Sequence, residues 1–233
     1  MDALEDHLRR QLDHSRDFFW HRVRWDVVRS CLPEARPVRL VDVGAGIGLL
    51  GEFLLRDLPG SEYRFVEPIP SLVEHLEAVF GPAANANGAS SYDGAEFITL
   101  LDVLEHQEDD VAFLAGLAAK MQPGARLLLT VPALQSLWSD WDVSLGHFRR
   151  YDRPALARAV AGSPLRVLEA SYLFPEMLPP AWLRARRGGD GTAEFPDLPT
   201  PVNELFYRVS SFTASRRGSW SHGTSLFAVL ERT

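Results

Sequence analysis

Two groups of residues in this chain have the types and spacing for chemistry. The first is Gly146-His147-Phe148-Arg149-Arg150-Tyr151, preceded by Trp138, Asp140, Trp141 and Asp142. A neutral imidazole accepts a proton near physiological pH, and a carboxylate a few positions earlier can orient it. His147 is therefore the candidate base and Asp142 its partner. His106, at the end of Asp102-Val103-Leu104-Glu105-His106, is a second base or a hydrogen-bonder for an acceptor. Arg149 and Arg150 suit an acidic or polyhydroxylated ligand, with Tyr151 beside them. Trp138 and Trp141 offer flat faces for a sugar or for a core. Asp140, Asp142 and His147 are also oxygen and nitrogen donors that suit a magnesium ion holding a diol. Their spacing is not that of a closed metal site, so no metal ligand is assigned. The bland alternative is that His147 and Tyr151 serve the helix beginning near Asp152-Arg153-Pro154, where Asp152 reads as an N-cap. Glu105 opens an acidic run before the next helix and reads as a turn or helix-end stabiliser.

The second group is Val38 to Leu50, VRLVDVGAGIGLL. An apolar run passes into Gly44-Ala45-Gly46-Ile47-Gly48 and then into a helical pattern. That is strand, glycine turn, helix, with free N–H groups facing a ligand over the turn. Asp42 precedes the turn. Glu67 ends the next apolar run, where an acid accepts both hydroxyls of a ribose. Dinucleotide folds need GxGxxG, but here the spacing is GxGxG and Leu49 stands where the third glycine would be.

These motifs, with Asp102-Val-Leu-Glu-His106, Gln122-Pro-Gly124, Leu137-Trp-Ser139, Gly146-His-Phe-Arg-Arg-Tyr151 and Gly223-Thr-Ser-Leu-Phe-Ala-Val229, resemble a bacterial small-molecule branch of the class I S-adenosylmethionine-dependent methyltransferases. The resemblance implies that cofactor and a cytoplasmic enzyme of small-molecule substrates. It implies that Gly44, Ala45, Gly46 and Gly48 lie beside the methionine and ribose, that Asp42 meets the amino group, and that Glu67 takes the ribose hydroxyls. Ser90 or Asp93 would meet the adenine, and Leu101, Asp102 and Val103 would line the methyl-transfer centre. Arg22 aligns with a family arginine that pairs with the cofactor carboxylate. Transfer to oxygen of a hydroxylated metabolite such as a sugar is favoured over N- or C-methylation. An inactive cofactor-binding dimer partner and a nicotinamide dehydrogenase are weaker readings.

The elements that must position these residues follow from composition and periodicity. The chain has 233 residues, 46% hydrophobic, which suits one domain with a full core. Its net charge of −7 gives no basic face for nucleic acid. Cys31 is its one cysteine, which fits a reducing compartment. The polar start MDALEDHLRR is not a signal peptide, and no run is long enough to span a membrane. Residues 1–30 read as helical, with 1–33 as a lid. Strands at 38–43, 63–67, 96–101, 126–131, 165–173 and 224–231 alternate with helices at 47–57, 70–80, 108–121 and 153–161. A weak loop or strand fills 81–95. The pattern predicts an α/β fold with a doubly wound, mostly parallel, seven-stranded sheet. A helical insertion at 175–222, with a loop around 188–201, would cap the acceptor site or form a dimer surface in a monomer or homodimer.

Overall fold

The computed structural model describes residues 16–187 and 198–233. Six strands form one sheet: β1 (Arg39–Val43), β2 (Glu62–Val66), β3 (Phe97–Leu101), β4 (Arg126–Pro132), β5 (Leu165–Leu173) and β6 (Ser225–Arg232). Their order is β2-β1-β3-β4-β6-β5. The first four are parallel, and β6 runs antiparallel between β4 and β5. The helices are α1 (Phe19–Arg29), α2 (Leu49–Asp57), α3 (Pro70–Phe80), α4 (Asp110–Lys120), α5 (Asp140–Ser144), α6 (Arg153–Val160), α7 (Leu178–Arg187) and α8 (Thr200–Ser215). The strand order reverses beside β1, since β2 lies on one side and β3 on the other. Open α/β sheets bind ligands outside the carboxyl ends of strands at such a point.

Helices on both faces explain the unbroken apolar strands. In β4, every residue from Leu127 to Val131 is buried. Successive side chains enter opposite cores. Leu40, Phe65, Leu128 and Phe227 join the core that includes Phe19, Val23, Leu50 and Leu54. Val41, Ile98, Leu100, Leu127 and Leu129 join the one that includes Leu114, Leu117 and Leu156.

The expected seventh strand is a correction. Residues 81–95 hold a 3₁₀ turn at Pro82–Ala84 and a single parallel bridge, Phe65 to Asn85. The run Asn85-Ala-Asn-Gly-Ala-Ser-Ser91 has no apolar alternation to hold a strand. A side chain does the pairing instead. Asn87 Oδ1 accepts from the Glu67 amide at 3.0 Å, and its Nδ2 donates to the Glu67 carbonyl at 2.8 Å.

The insertion before β6 folds as a 3₁₀ turn at Pro175–Met177 followed by α7 and α8. Helix α8 packs along α1. Asn203 Oδ1 accepts from the Phe19 amide at 2.9 Å, and its Nδ2 donates to the Asp17 carbonyl at 2.7 Å. The Tyr207 hydroxyl donates to Asp26 at 2.9 Å, and Trp20 stacks on Phe174 with centroids 4.0 Å apart. The helix expected at residues 1–15 and most of the loop expected after α7, residues 188–197, lie outside the described residues.

Asn203 is buried, so Asn203→Ala should cost about 1–3 kcal/mol by leaving a buried donor and acceptor unpaired. Hydrogen exchange at Phe19 should accelerate in that variant while β4 stays protected. Unchanged exchange in α1 would show that its apolar contacts hold it without Asn203.

Candidate active site

The glycine turn lies at the carboxyl end of β1. Gly44 and Gly48 take positive φ, +74° and +82°. A Cβ on Gly44 would stand 2.3 Å from Val103 Cγ2, and one on Gly48 would stand 2.7 Å from both Leu76 and Phe80. No other residue fits either place. Glu67 follows β2 and reaches across to this turn. Its Oε2 accepts from the Gly46 amide at 2.8 Å and its Oε1 from the Ile69 amide at 3.0 Å. Each oxygen keeps acceptor capacity for a further donor. Burial pushes this carboxyl above the usual range, and the two amide bonds pull it back.

Asp42 is wholly buried beneath the turn, accepting from Thr99 Oγ1 at 2.7 Å and Tyr63 Oη at 3.0 Å. Burial raises its pKa against those two hydrogen bonds. Asp42, Gly44, Ala45, Gly46 and Leu101 line a partly open cavity of about 110 Å³, with Arg24 and Trp25 of α1 on its wall. A larger open depression at the opposite, amino end of the sheet is edged by Arg36 and Glu96, which pair with each other.

Arg22 is not in this cavity, which is a correction. It pairs with Glu204 and stacks 3.6 Å above the Tyr207 ring of α8. Two residues along a helix turn a side chain by about 200°, and Arg24 therefore takes the inward place. Arg24 Nη1 meets Asp102 Oδ2 at 3.1 Å, while its buried Nε has no hydrogen-bond acceptor. Asp102 has φ of +57°, an unusual backbone for a non-glycine residue. Its Oδ1 accepts from Thr130 Oγ1 at 3.0 Å. Val103 packs on Gly44.

The adenine candidates are also corrected. Asp93 is exposed and accepts from Gln122 at 3.4 Å, and its neighbour Gly94 lies against Arg39 at the start of β1. That is the wrong end of the sheet. Without a strand in 81–95 to carry it, the chain after Asn87 crosses to the amino end, and exposed Ser90 lies on that crossing. Asn87, which clasps Glu67, is the residue that the sequence reading missed.

A second cluster lies at the carboxyl ends of β3 and β4. His147 Nδ1 is 2.9 Å from Asp142 Oδ1, which also accepts from Arg150 Nε at 2.8 Å. Asp142 Oδ2 accepts from the Ser139 amide at 3.0 Å, capping the short helix α5 that periodicity did not reveal. Burial raises the Asp142 carboxyl, but the hydrogen bonds from His147 and Arg150 outweigh it and hold the group below its ordinary range. Beside an ionised Asp142, Nδ1 carries a proton, and in the neutral ring the lone pair then lies on Nε2. The His106 ring stands edge-on to His147, centroids 4.7 Å apart.

Beside them Glu105 departs from its expected helix-end role. It is wholly buried, and neither carboxylate oxygen has a hydrogen-bond partner. Burial, then the nearby Asp102 charge, raise its pKa well above the ordinary range. The Asp140, Asp142 and His147 donor set is not formed, because both Asp142 oxygens are taken.

The residues expected to meet the substrate are engaged within the protein. Arg149 donates to the Gln107 and Glu108 carbonyls at 3.0 and 2.6 Å. Arg150 holds Asp142 and the Ala133 carbonyl. Tyr151 is buried, donating to Asp110 at 2.7 Å. All three brace the loop from within. Trp141 lies under Arg184 of α7, 4.7 Å from the guanidinium, and Trp138 is half-buried. Asp152 is the expected N-cap, accepting from the Ala155 amide at 2.7 Å.

Residues 5–170 match the family model of the methyltransferase domain, more than half of the chain. The chain belongs to that family, and it is a methyltransferase. Solved structures share the fold. A chain from the complex of the Haloferax volcanii Trm112 methyltransferase activator with a protein described as its methyltransferase partner is 15% identical, with a TM-score of 0.62, over 99% of this chain and 94% of that one. Geranyl diphosphate C-methyltransferase from Streptomyces coelicolor A3(2) is 13% identical, with a TM-score of 0.58, over 90% and 75%. The mitomycin 7-O-methyltransferase MmcR is 18% identical, with a TM-score of 0.55, over 90% and 53%. No curated protein matches the sequence. Among the described residues no helix is long and apolar enough to cross a membrane.

Asp142→Ala should destabilise the protein by about 2–4 kcal/mol, because it removes the partner of the half-buried Arg150 charge and leaves His147 unanchored. Denaturant unfolding measures this, and a loss below about 1 kcal/mol would show that the network does not brace the loop.

Proposed function

We propose that this methyltransferase carries the methyl group of S-adenosylmethionine to a hydroxyl oxygen of a small molecule such as a sugar. The turn Gly44–Gly48 with Glu67 supports the cofactor: the carboxylate faces the turn and has acceptor sites left for two ribose hydroxyls. Arg24, whose buried Nε has no acceptor, takes the cofactor carboxylate in place of Arg22. Asp42 offers its charge to the cofactor amino group from beneath the turn. The S. coelicolor and MmcR neighbours carry C- and O-methyltransferase names, so the fold leaves the acceptor atom open.

The observation that carries transfer to oxygen is the Asp142–His147 pair. Displacement at a sulfonium methyl has a neutral leaving group, so alignment does most of the work. A hydroxyl also needs its proton removed. The Nε2 lone pair of His147 takes that proton as the oxygen–carbon bond forms and the carbon–sulfur bond breaks, leaving a neutral thioether. The Asp142 charge stabilises the imidazolium, which returns the proton to solvent. Helices α7 and α8 cap the acceptor within a single domain.

Calorimetry with S-adenosylhomocysteine should show Glu67→Ala losing about 1.5–3 kcal/mol of affinity, the worth of hydrogen bonds to a charged group. Arg24→Leu should weaken binding at least about tenfold by the same reasoning, while Arg22→Leu should leave it nearly unchanged. NAD should not bind. The reverse order of the two arginines would restore the sequence-based assignment. His147→Ala should lower kcat by ~10²–10⁴-fold with an unchanged dissociation constant for the cofactor product. Normal turnover in a stable His147→Ala protein would favour a nitrogen or carbon acceptor.

A further inference from the structure

We propose that Glu105, His106 and His147 form a binding site for one divalent transition-metal ion. One donor atom from each lies within 4.8 Å of the others. Glu105 is 0% exposed, and both of its oxygens lack a hydrogen-bond partner. A buried carboxyl with no donor is costly as an anion, so it is neutralised by a proton or by a cation, and a metal ion bound here would displace the proton. The two histidine rings meet edge-on rather than stacked, centroids 4.7 Å apart.

The surroundings complete a metal centre. Metal-binding histidines commonly donate their other ring N–H to a carboxylate, which fixes the ring. Asp142 does this for His147 at 2.9 Å and is itself held by Arg150. The Phe148 amide donates to the Glu105 carbonyl at 2.8 Å, so the two ligand-bearing segments are tied together before any ion arrives. Bonds of about 2.1 Å in a tetrahedral site bring donors to about 3.4 Å of one another, so binding an ion would draw these side chains closer together. Two imidazoles and one carboxylate suit zinc, iron(II), manganese or cobalt rather than magnesium or calcium. Three protein ligands leave a coordination position open, as in catalytic rather than structural sites.

The ion's location does not depend on the methyl-transfer reading above, but its role does. In the loaded protein the His147 lone pair binds the ion, and an acceptor hydroxyl at the open position has its pKa lowered. The proton then leaves to water instead of to the imidazole, and the oxygen attacks the sulfonium methyl as before.

The test uses full-length protein stripped with a chelator and titrated with cobalt(II), read by visible d–d absorption. One cobalt per chain is expected, displaced by zinc and unaffected by magnesium. Glu105→Gln, His106→Gln and His147→Gln should each weaken cobalt binding by at least about tenfold, the scale seen for weakened metal sites. S-adenosylhomocysteine binding shows that each variant is folded. Absence of a cobalt spectrum in the wild-type protein would overturn the proposal whatever the variants do. So would equal binding by wild type and all three variants, which would place the ion on other histidines such as His7 or His14. If cobalt fails to bind but His147→Ala still loses turnover, methyl transfer through His147 stands without the metal. If cobalt binds as expected but S-adenosylhomocysteine does not bind the wild-type protein, the metal site stands and the cofactor reading falls.

Discussion

The region at the carboxyl ends of β3 and β4 depends on how one buried carboxylate, Asp142, keeps its charge. Removal from water alone would protonate it. Donors from His147, Arg150 and the Ser139 amide reverse that preference. The same bonds fix the ring of His147, start helix α5 and draw Arg150 against the end of β4. Glu105 is equally buried, and no other residue donates a hydrogen bond to its carboxyl oxygens. The two carboxylates are thus driven in opposite directions, one kept as an anion and the other pushed toward its neutral acid. Environments that separate two like groups in this way are a mark of sites that handle protons or charge.

Motifs that are local in the chain were legible from the sequence. The strand, glycine turn and following helix are legible because glycine spacing and apolar periodicity act over a few residues. The Asp142–His147 pair is legible because the two residues lie only five positions apart. The same locality misled in three places. Arg22 and Arg24 differ only in which helix face they occupy, and that is decided by Glu204 and Tyr207 in α8, far along the chain. Arg149, Arg150 and Tyr151 look like ligands for an anion in a list of residues, but the fold brings Asp110, Asp142 and backbone carbonyls to them. Glu105 reads as one acid among several before α4, and its isolation appears only once the sheet and the 138–151 loop close over it.

The missing seventh strand shows how a side chain can stand in for backbone. A strand beside β2 would give Glu67 its ladder partners. Asn87 supplies the same donor and acceptor from one amide group. Glu67 is thereby fixed without a continuous apolar segment, and the chain is free to turn toward the amino end of the sheet. Polar sequence there removes the strand but preserves the orientation of the acid that the glycine turn needs.

The cavity over the glycine turn is walled in part by α1, and α1 is held by α8, a contact that spans 184 residues between Phe19 and Asn203. Contacts of such separation carry a large loop-closure cost and form late in folding. During synthesis the parallel strands and the turn can assemble while α1 still lacks its partner. The cavity over the glycine turn is therefore completed only after the chain has emerged through α8. A chain stalled before that point would carry every residue of the glycine turn, but without the helix that secures its wall.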